Sequence, residues 1–199
     1  LNNISDPRIN DFATSTKGFP YGLTRDDAVN WVGAGNADFA RVLHASNRTS
    51  TSSVVLLGAA HITLARAEAA QRGWTSEDEA ALYSTDIQQS WEQWGTSTAG
   101  IGTYLAQPEV ALTPGTAMEK IATQEWIAWF PIGWQAFNTW RRTGVPVLTP
   151  APGTTQIPRR FPYGPDEYSY NLTNVQAAAA TYTVGGVPDS QFGRLWFDN

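Results

Sequence analysis

At 199 residues the chain has the length of one domain, or of the larger piece of one, and can bury a core. Its net charge of −5 gives no field to gather nucleic acid, and the absence of cysteine removes disulfides, thiolate metal sites and cysteine nucleophiles. Charged residues make up only 16%, whereas nine Trp, eight Phe and seven Tyr stand out; most are expected in a core, the others on a surface that binds flat apolar faces.

Residues 1–52 read as a loop-rich segment, punctuated by Asp6-Pro7, Gly18, Pro20, Gly22 and Gly33-Ala34-Gly35-Asn36. Within it Thr24 caps a short helix whose first turn holds Asp26 and Asp27, where negative charge suits the helix dipole. Phe12, Phe19, Tyr21, Trp31 and Phe39 argue against disorder. The spacing then predicts a helix over 54–72, capped by Ser52 or Ser53 and stopped by Gly73, with Leu57, His61, Leu64 and Glu68 on one stripe.

Ser76 and Glu79 have the spacing of a capping box for a second helix that ends before Gly95, its inward face Ala80, Tyr83, Ile87, Trp91 and Trp94. The short link makes the two an antiparallel hairpin, with alanines of one leaving room for aromatics of the other. This is the packing of tetratricopeptide-type pairs, without a true repeat of about 34 residues. Gly100, Gly102 and Pro108 mark a connector, after which Thr116 and Glu119 open a helix to about Trp129. Pro131 is placed in the first turn of a fourth helix ending before Gly144. Residues 53–144 are thus a helical scaffold and 145–199 an irregular Pro/Gly-rich segment, with a helical patch over 174–180. No period-two alternation supports a sheet, so the fold class is mainly α, helix pairs with long irregular loops.

An acidic, aromatic-rich chain invites a glycoside hydrolase reading, which needs two carboxyl groups about 5 Å or about 6.5–9.5 Å apart. The candidates are explained otherwise. Glu77-Asp78-Glu79 suits the opening turn of a helix, Glu119 its capping box, and Asp166-Glu167 a turn after Gly164-Pro165. The chain is therefore read as a non-enzyme. His44 and His61 show no ligand spacing, so neither metal nor other cofactor is expected, and His61 reads as a core histidine bonded to a polar neighbour. Trp129, Trp134 and Trp140 lead into Arg141-Arg142, which suit a helix C-terminus. They are read as tying the helix end to the irregular C-terminal segment through Asp166, Glu167 or Asp198, with Arg159-Arg160, embedded among aromatics, as a further part of this structural motif. No run of about 18 apolar residues reads as a membrane-spanning helix.

Several pieces recur in a telling order. Asp6-Pro7-Arg8 is followed by Ala67-Glu68-Ala69, Arg72-Gly73-Trp74, Ile87 to Trp94, and Gln124-Glu125-Trp126-Ile127-Ala128. Then come Trp140-Arg141-Arg142-Thr143-Gly144, Ile157-Pro158-Arg159-Arg160-Phe161-Pro162-Tyr163, Asp166-Glu167-Tyr168 to Asn171, and Arg194-Leu195-Trp196-Phe197-Asp198. Together they resemble the C-terminal part of the SusD/RagB family, nutrient-capturing outer-membrane lipoproteins of Bacteroidetes. Gly164 stands where a proline is common, and Trp196-Phe197 replaces two tryptophans.

The resemblance implies tetratricopeptide-like helix pairs beneath irregular ligand-binding loops. It implies non-catalytic capture of an oligosaccharide or peptide at the cell surface and delivery to a SusC-like TonB-dependent transporter. It also implies a longer parent, with more helical scaffold and a lipid anchor upstream of this chain. Glycan binding in such proteins rests on loop aromatics, so Phe19, Tyr21 and Trp31, with Arg25 and Asn30 beside them, are the candidate ligand residues; no binding motif transfers to them one by one. Two alternatives stand beside this. The rings pin a long loop onto the helices, or the chain is a helical protein–protein interaction module without a small-molecule ligand.

Overall fold

The computed structural model describes the backbone of residues 1–199 and the side chains of all but Asn2. Its α-helices are α1 (Ile9–Phe12), α2 (Arg25–Trp31), α3 (Ala59–Gln71), α4 (Glu79–Trp94), α5 (Ile101–Leu105), α6 (Ala117–Ala128), α7 (Gly133–Thr143), α8 (Pro165–Tyr170) and α9 (Leu172–Ala180). Among the described residues there is no β-strand, only the isolated bridges Ala13–Val42 and Val184–Val187.

The core forms where α3 packs on α4 and α6, and α6 on α7. Ala60, Leu64 and Ala67 of α3 fall at helical spacing and are buried, facing Tyr83, Ile87 and Trp91 of α4 and Ile121 of α6. Each fully buried Leu or Ile here contributes about 1.5–3 kcal/mol, and the alanines let the indole of Trp91 come close. Phe12, Tyr83, Trp91, Tyr104 and Trp140 are the buried aromatics; the others are half-buried or exposed. The expectation that most rings fill the core is thus corrected. The core positions of α3 and α6 are taken by Ala, Leu and Ile, and the rings spread over the loops and outer faces.

The helix starts differ from the sequence reading for local reasons. α3 begins five residues after Val54, because the β-branched pair Val54-Val55 stays irregular and the Gly58 N–H is capped by His61 Nδ1 at 2.9 Å. Neither Ser52 nor Ser53 is a cap, and Leu57 lies exposed outside the helix. For α4 the cap is Asp78, whose Oδ1 accepts from the N–H groups of Ala80 and Ala81, both at 3.0 Å; Ser76 stands too far upstream. The Thr116 hydroxyl turns back to Thr113 at 2.7 Å, so the expected box with Glu119 does not form, although α6 keeps nearly its predicted span. Pro131 precedes α7 instead of sitting in its first turn. Gly95 and Gly144 end α4 and α7 in the left-handed conformation, as glycine after a helix commonly does. The short helices α1, α5 and α8 show too few residues for a period to be read from sequence.

Two polar clusters fasten this frame. Arg8, fully buried, donates to Asp6 at 2.5–3.2 Å, to Ser90 of α4 at 2.8 Å and to Gln124 of α6 at 2.7 Å. Tyr104 of α5 donates to Asp6 at 2.8 Å, so the first loop is bolted to three helices. In the second cluster Glu68 of α3 accepts from both Arg72 and Arg142, and Arg142 of α7 also reaches Glu125 of α6 at 3.0 Å.

Candidate functional site

The loop before α3 carries the residues that sequence reasoning singled out. Phe19, Trp31 and Phe39 come together: Phe19 meets Trp31 edge-on with centroids 5.2 Å apart, and lies 5.0 Å from Phe39. Thr24 caps α2 by accepting from the Asp27 N–H at 3.2 Å, as its sequence predicts, which sets Trp31 at the end of that helix. Cations flank the cluster. The Arg41 guanidinium lies 4.1 Å over Phe39, and the Lys17 ammonium lies 5.9 Å from the Trp31 ring while pairing with Asp38 at 2.6 Å.

Tyr21 stands apart from these rings. Its hydroxyl donates to the Thr149 carbonyl at 2.6 Å, which ties the loop to the C-terminal segment and leaves the residue 63% exposed. Arg25 and Asn30 are exposed on α2. The structure therefore brings Phe19 and Trp31 together, adds Phe39, Lys17 and Arg41, and leaves Tyr21 to a different contact. Lys17, Phe39 and Arg41 were missed as ligand candidates because only folding brings 17, 31 and 39–41 side by side.

Two cavities meet at Phe130 and Pro131, and the first borders this cluster. One, of about 620 Å³, is bordered by Phe19, Arg41, Trp126 and Phe130. The other, of about 630 Å³, lies between the 43–55 loop and the α4 end, with Trp94, Phe130 and Gln93 in its wall. Phe130 and Pro131 line both. His61, at the edge of the second, stacks on Trp129 at 3.8 Å with its Nδ1 accepting from Gly58. Its Nε2 therefore carries the proton and donates to the Ala128 carbonyl at 2.9 Å. Burial outweighs that contact and holds its pKa below the usual histidine range, so the ring is neutral.

A third cavity, of about 900 Å³, sits on another face. Trp134 and Phe161, 66% and 77% exposed with centroids 6.1 Å apart, stand at its mouth. Its arginines are committed inward. Arg141 donates to the Arg159 carbonyl at 2.8 Å and to Asn138 at 2.6 Å, and Arg160 pairs with Asp189 at 2.6 Å. Of the proposed ties, Asp198 is the one found, 3.9 Å from Arg141 and 3.6 Å from Arg159. Asp166 and Glu167 are exposed in the first turn of α8 and pair with no arginine among the described residues; Arg142 turns to Glu68 and Glu125, and Arg160 to Asp189, which the sequence did not flag. Among the described residues no group of three or more His, Cys, Asp or Glu could hold a metal ion.

A family profile described as "Starch-binding associating with outer membrane", SusD-like_2, matches residues 1–164. No curated protein matches the chain. Among solved structures, a candidate nutrient-binding outer membrane protein from Bacteroides vulgatus is 25% identical with a TM-score of 0.78, over 100% of this chain and 50% of that one. A chitin-binding SusD homologue from Flavobacterium johnsoniae is 26% identical, TM-score 0.75, over 100% and 47%. A further structure named as a chitin-binding protein is 28% identical, TM-score 0.74, over 100% and 48%. The chain spans about half the length of the solved structures it matches.

Proposed function

The chain belongs to the SusD-like_2 family, and from that premise we propose that it captures glycans without catalysis at the outer-membrane surface. In this reading the captured oligosaccharide passes to a SusC-like TonB-dependent transporter, and a lipid anchor upstream of this chain holds the protein at the membrane. Relatives named for starch and chitin favour a carbohydrate over a peptide.

The observation that carries the reading is the grouping of Phe19, Trp31 and Phe39 on a polar loop face with Lys17 and Arg41 beside them. Aromatic faces accept the C–H surface of a sugar ring, while cations and amides such as Arg25 and Asn30 read its hydroxyls. Calorimetry with malto- and chito-oligosaccharides tests it. Loss of one stacked ring in Trp31→Ala is expected to cost about 1–3 kcal/mol of affinity, by analogy with other stacked contacts. Unchanged affinity, with the fold intact by circular dichroism, removes Trp31 from the site.

A second reading, a helical interaction module, is favoured by the Trp134–Phe161 cleft. Its arginine donors are turned inward and Ile157, Pro158 and Leu195 line it, so it offers a sugar few partners and an apolar protein segment a good fit. The two readings are compatible if that cleft is covered by the upstream part of the same protein.

A further inference from the structure

We propose that the cavity between the 43–55 loop and the ends of α4 and α6 is a second carbohydrate subsite, built for a neutral stretch of oligosaccharide. The inference rests on the glycan-capture reading and assigns a place and a ligand charge that the Phe19–Trp31 cluster does not.

The floor of the cavity is aromatic and held still. Trp94 and Phe130 lie 5.6 Å apart, and Phe12 backs both, stacked on Phe130 at 4.2 Å and edge-on to Trp94 at 5.0 Å. Rings locked in this way offer a flat apolar surface at little ordering cost. The rim is made of hydroxyls and amides. Asn47 donates through Nδ2 to the Asp11 carbonyl at 3.3 Å, which positions the side chain and leaves its Oδ1 uncommitted. Among the described residues the Ser53 hydroxyl and the Gln93 amide make no hydrogen bond, and both line the space. Donors and acceptors thus stand around an apolar floor, the pattern that a pyranose ring needs.

Charge sets this cavity apart. No Asp, Glu, Lys or Arg lines it, and its one histidine is neutral with both ring nitrogens engaged. A uronate or sulfated sugar entering here would lose its water with no counter-ion to replace it. A neutral sugar would not. The Phe19–Trp31 face, by contrast, carries Lys17 and Arg41. The volume of about 630 Å³ suits a small-molecule site, and the shared wall of Phe130 and Pro131 sets it next to the cavity that Phe19 borders. One extended oligosaccharide could follow that wall from ring cluster to ring cluster.

Calorimetry on the full chain decides the matter, with maltoheptaose and chitohexaose as neutral probes and de-esterified oligogalacturonate as the acidic one. Gln93→Ala and Ser53→Ala should each weaken binding of the neutral probe about threefold to tenfold. Ser53→Trp, on an exposed loop where it fills the space without touching the core, should abolish the contribution of this cavity, with the thermal midpoint unchanged. Raising salt from about 50 to about 500 mM should leave these effects as they are. Neutral-probe binding that stays at the wild-type value in all three variants overturns the subsite and leaves glycan capture standing. Preference for the acidic probe that these variants remove overturns its neutral character. Binding of no probe at all sinks the capture reading itself, and the subsite with it.

Discussion

Removing the guanidinium of Arg8 is the sharpest test of how the loop face is held. Arg8→Met keeps the length of the side chain and deletes its donors to Asp6, Ser90 and Gln124, all within 3.2 Å. Asp6 then stays buried without its cation. It keeps the Tyr104 hydroxyl at 2.8 Å and the backbone N–H of residue 8 at 3.0 Å. Breaking a buried pair from one side costs about 3–5 kcal/mol, and the two surviving bonds place this case near the lower end, about 3 kcal/mol. Urea unfolding followed by fluorescence reads the loss directly. A change below about 1 kcal/mol at unchanged m-value would refute the reasoning, since it would mean that water or relaxation replaces the cation. Adding Asp6→Asn to Arg8→Met should recover part of the loss, because the orphaned charge is then gone. The effect should also reach the ligand face. Residues 6–8 lead into α1, and the Asp11 carbonyl there accepts from both the His44 N–H and Asn47, so hydrogen exchange across the 43–55 loop should quicken in the variant.

Two further expectations concern acids in the frame. Burial drives the Asp86 carboxyl well above the ordinary range, Arg8 offsets this only in part and Glu125 adds to it; both carboxyl oxygens lack a hydrogen-bond partner among the described residues. Its folded pKa is the higher one, so the stability tied to its proton is full below the ordinary Asp value and is lost as pH rises towards the folded value. Asp86→Asn should therefore gain stability over the parent at about pH 8 and little at about pH 4, and an equal gain in urea midpoint at both refutes this. Glu68 behaves oppositely. Burial pushes it up, but Arg142 and Arg72 together outweigh burial and hold it below the usual range. Its contribution is present above the ordinary Glu value and fades as pH falls through the folded one. Glu68→Gln should cost about 1.5–3 kcal/mol near neutrality and progressively less in acid, and a loss that does not shrink there counts against the ion cluster.

Helices and the family were legible in the residues because each carries local information. The α3–α4 hairpin announces itself by apolar spacing and by glycines 73 and 95, and the Arg-rich and Pro-rich pieces keep their order. Caps were less legible. Ser76 and Asp78 are both good capping residues two positions apart, and only the backbone decides that Asp78 takes the N–H groups of Ala80 and Ala81. Long-range partners were the least legible. Nothing near Arg160 in sequence points to Asp189, and nothing near Phe12 points to Trp94 and Phe130. The helical register of Trp94 points to the core, yet the residue lines a cavity, because a loop of hydroxyl residues and not another helix lies against it.

The way α7 ends has a consequence for the order in which the fold closes. The Asn199 N–H donates to the Arg141 carbonyl at 2.8 Å and its side-chain amide to the Thr143 carbonyl at 2.9 Å, so two carbonyls of that helix end are satisfied from more than 50 residues downstream. Closing a loop that long costs chain entropy that a short turn does not, so this end closes on helices that are already in place. The α3–α4 pair, joined by a short turn, carries no such cost. The hairpin therefore forms from neighbouring sequence alone, whereas the α7 end and the Arg8 bolt, which reaches 82 and 116 residues along the chain, need the frame first.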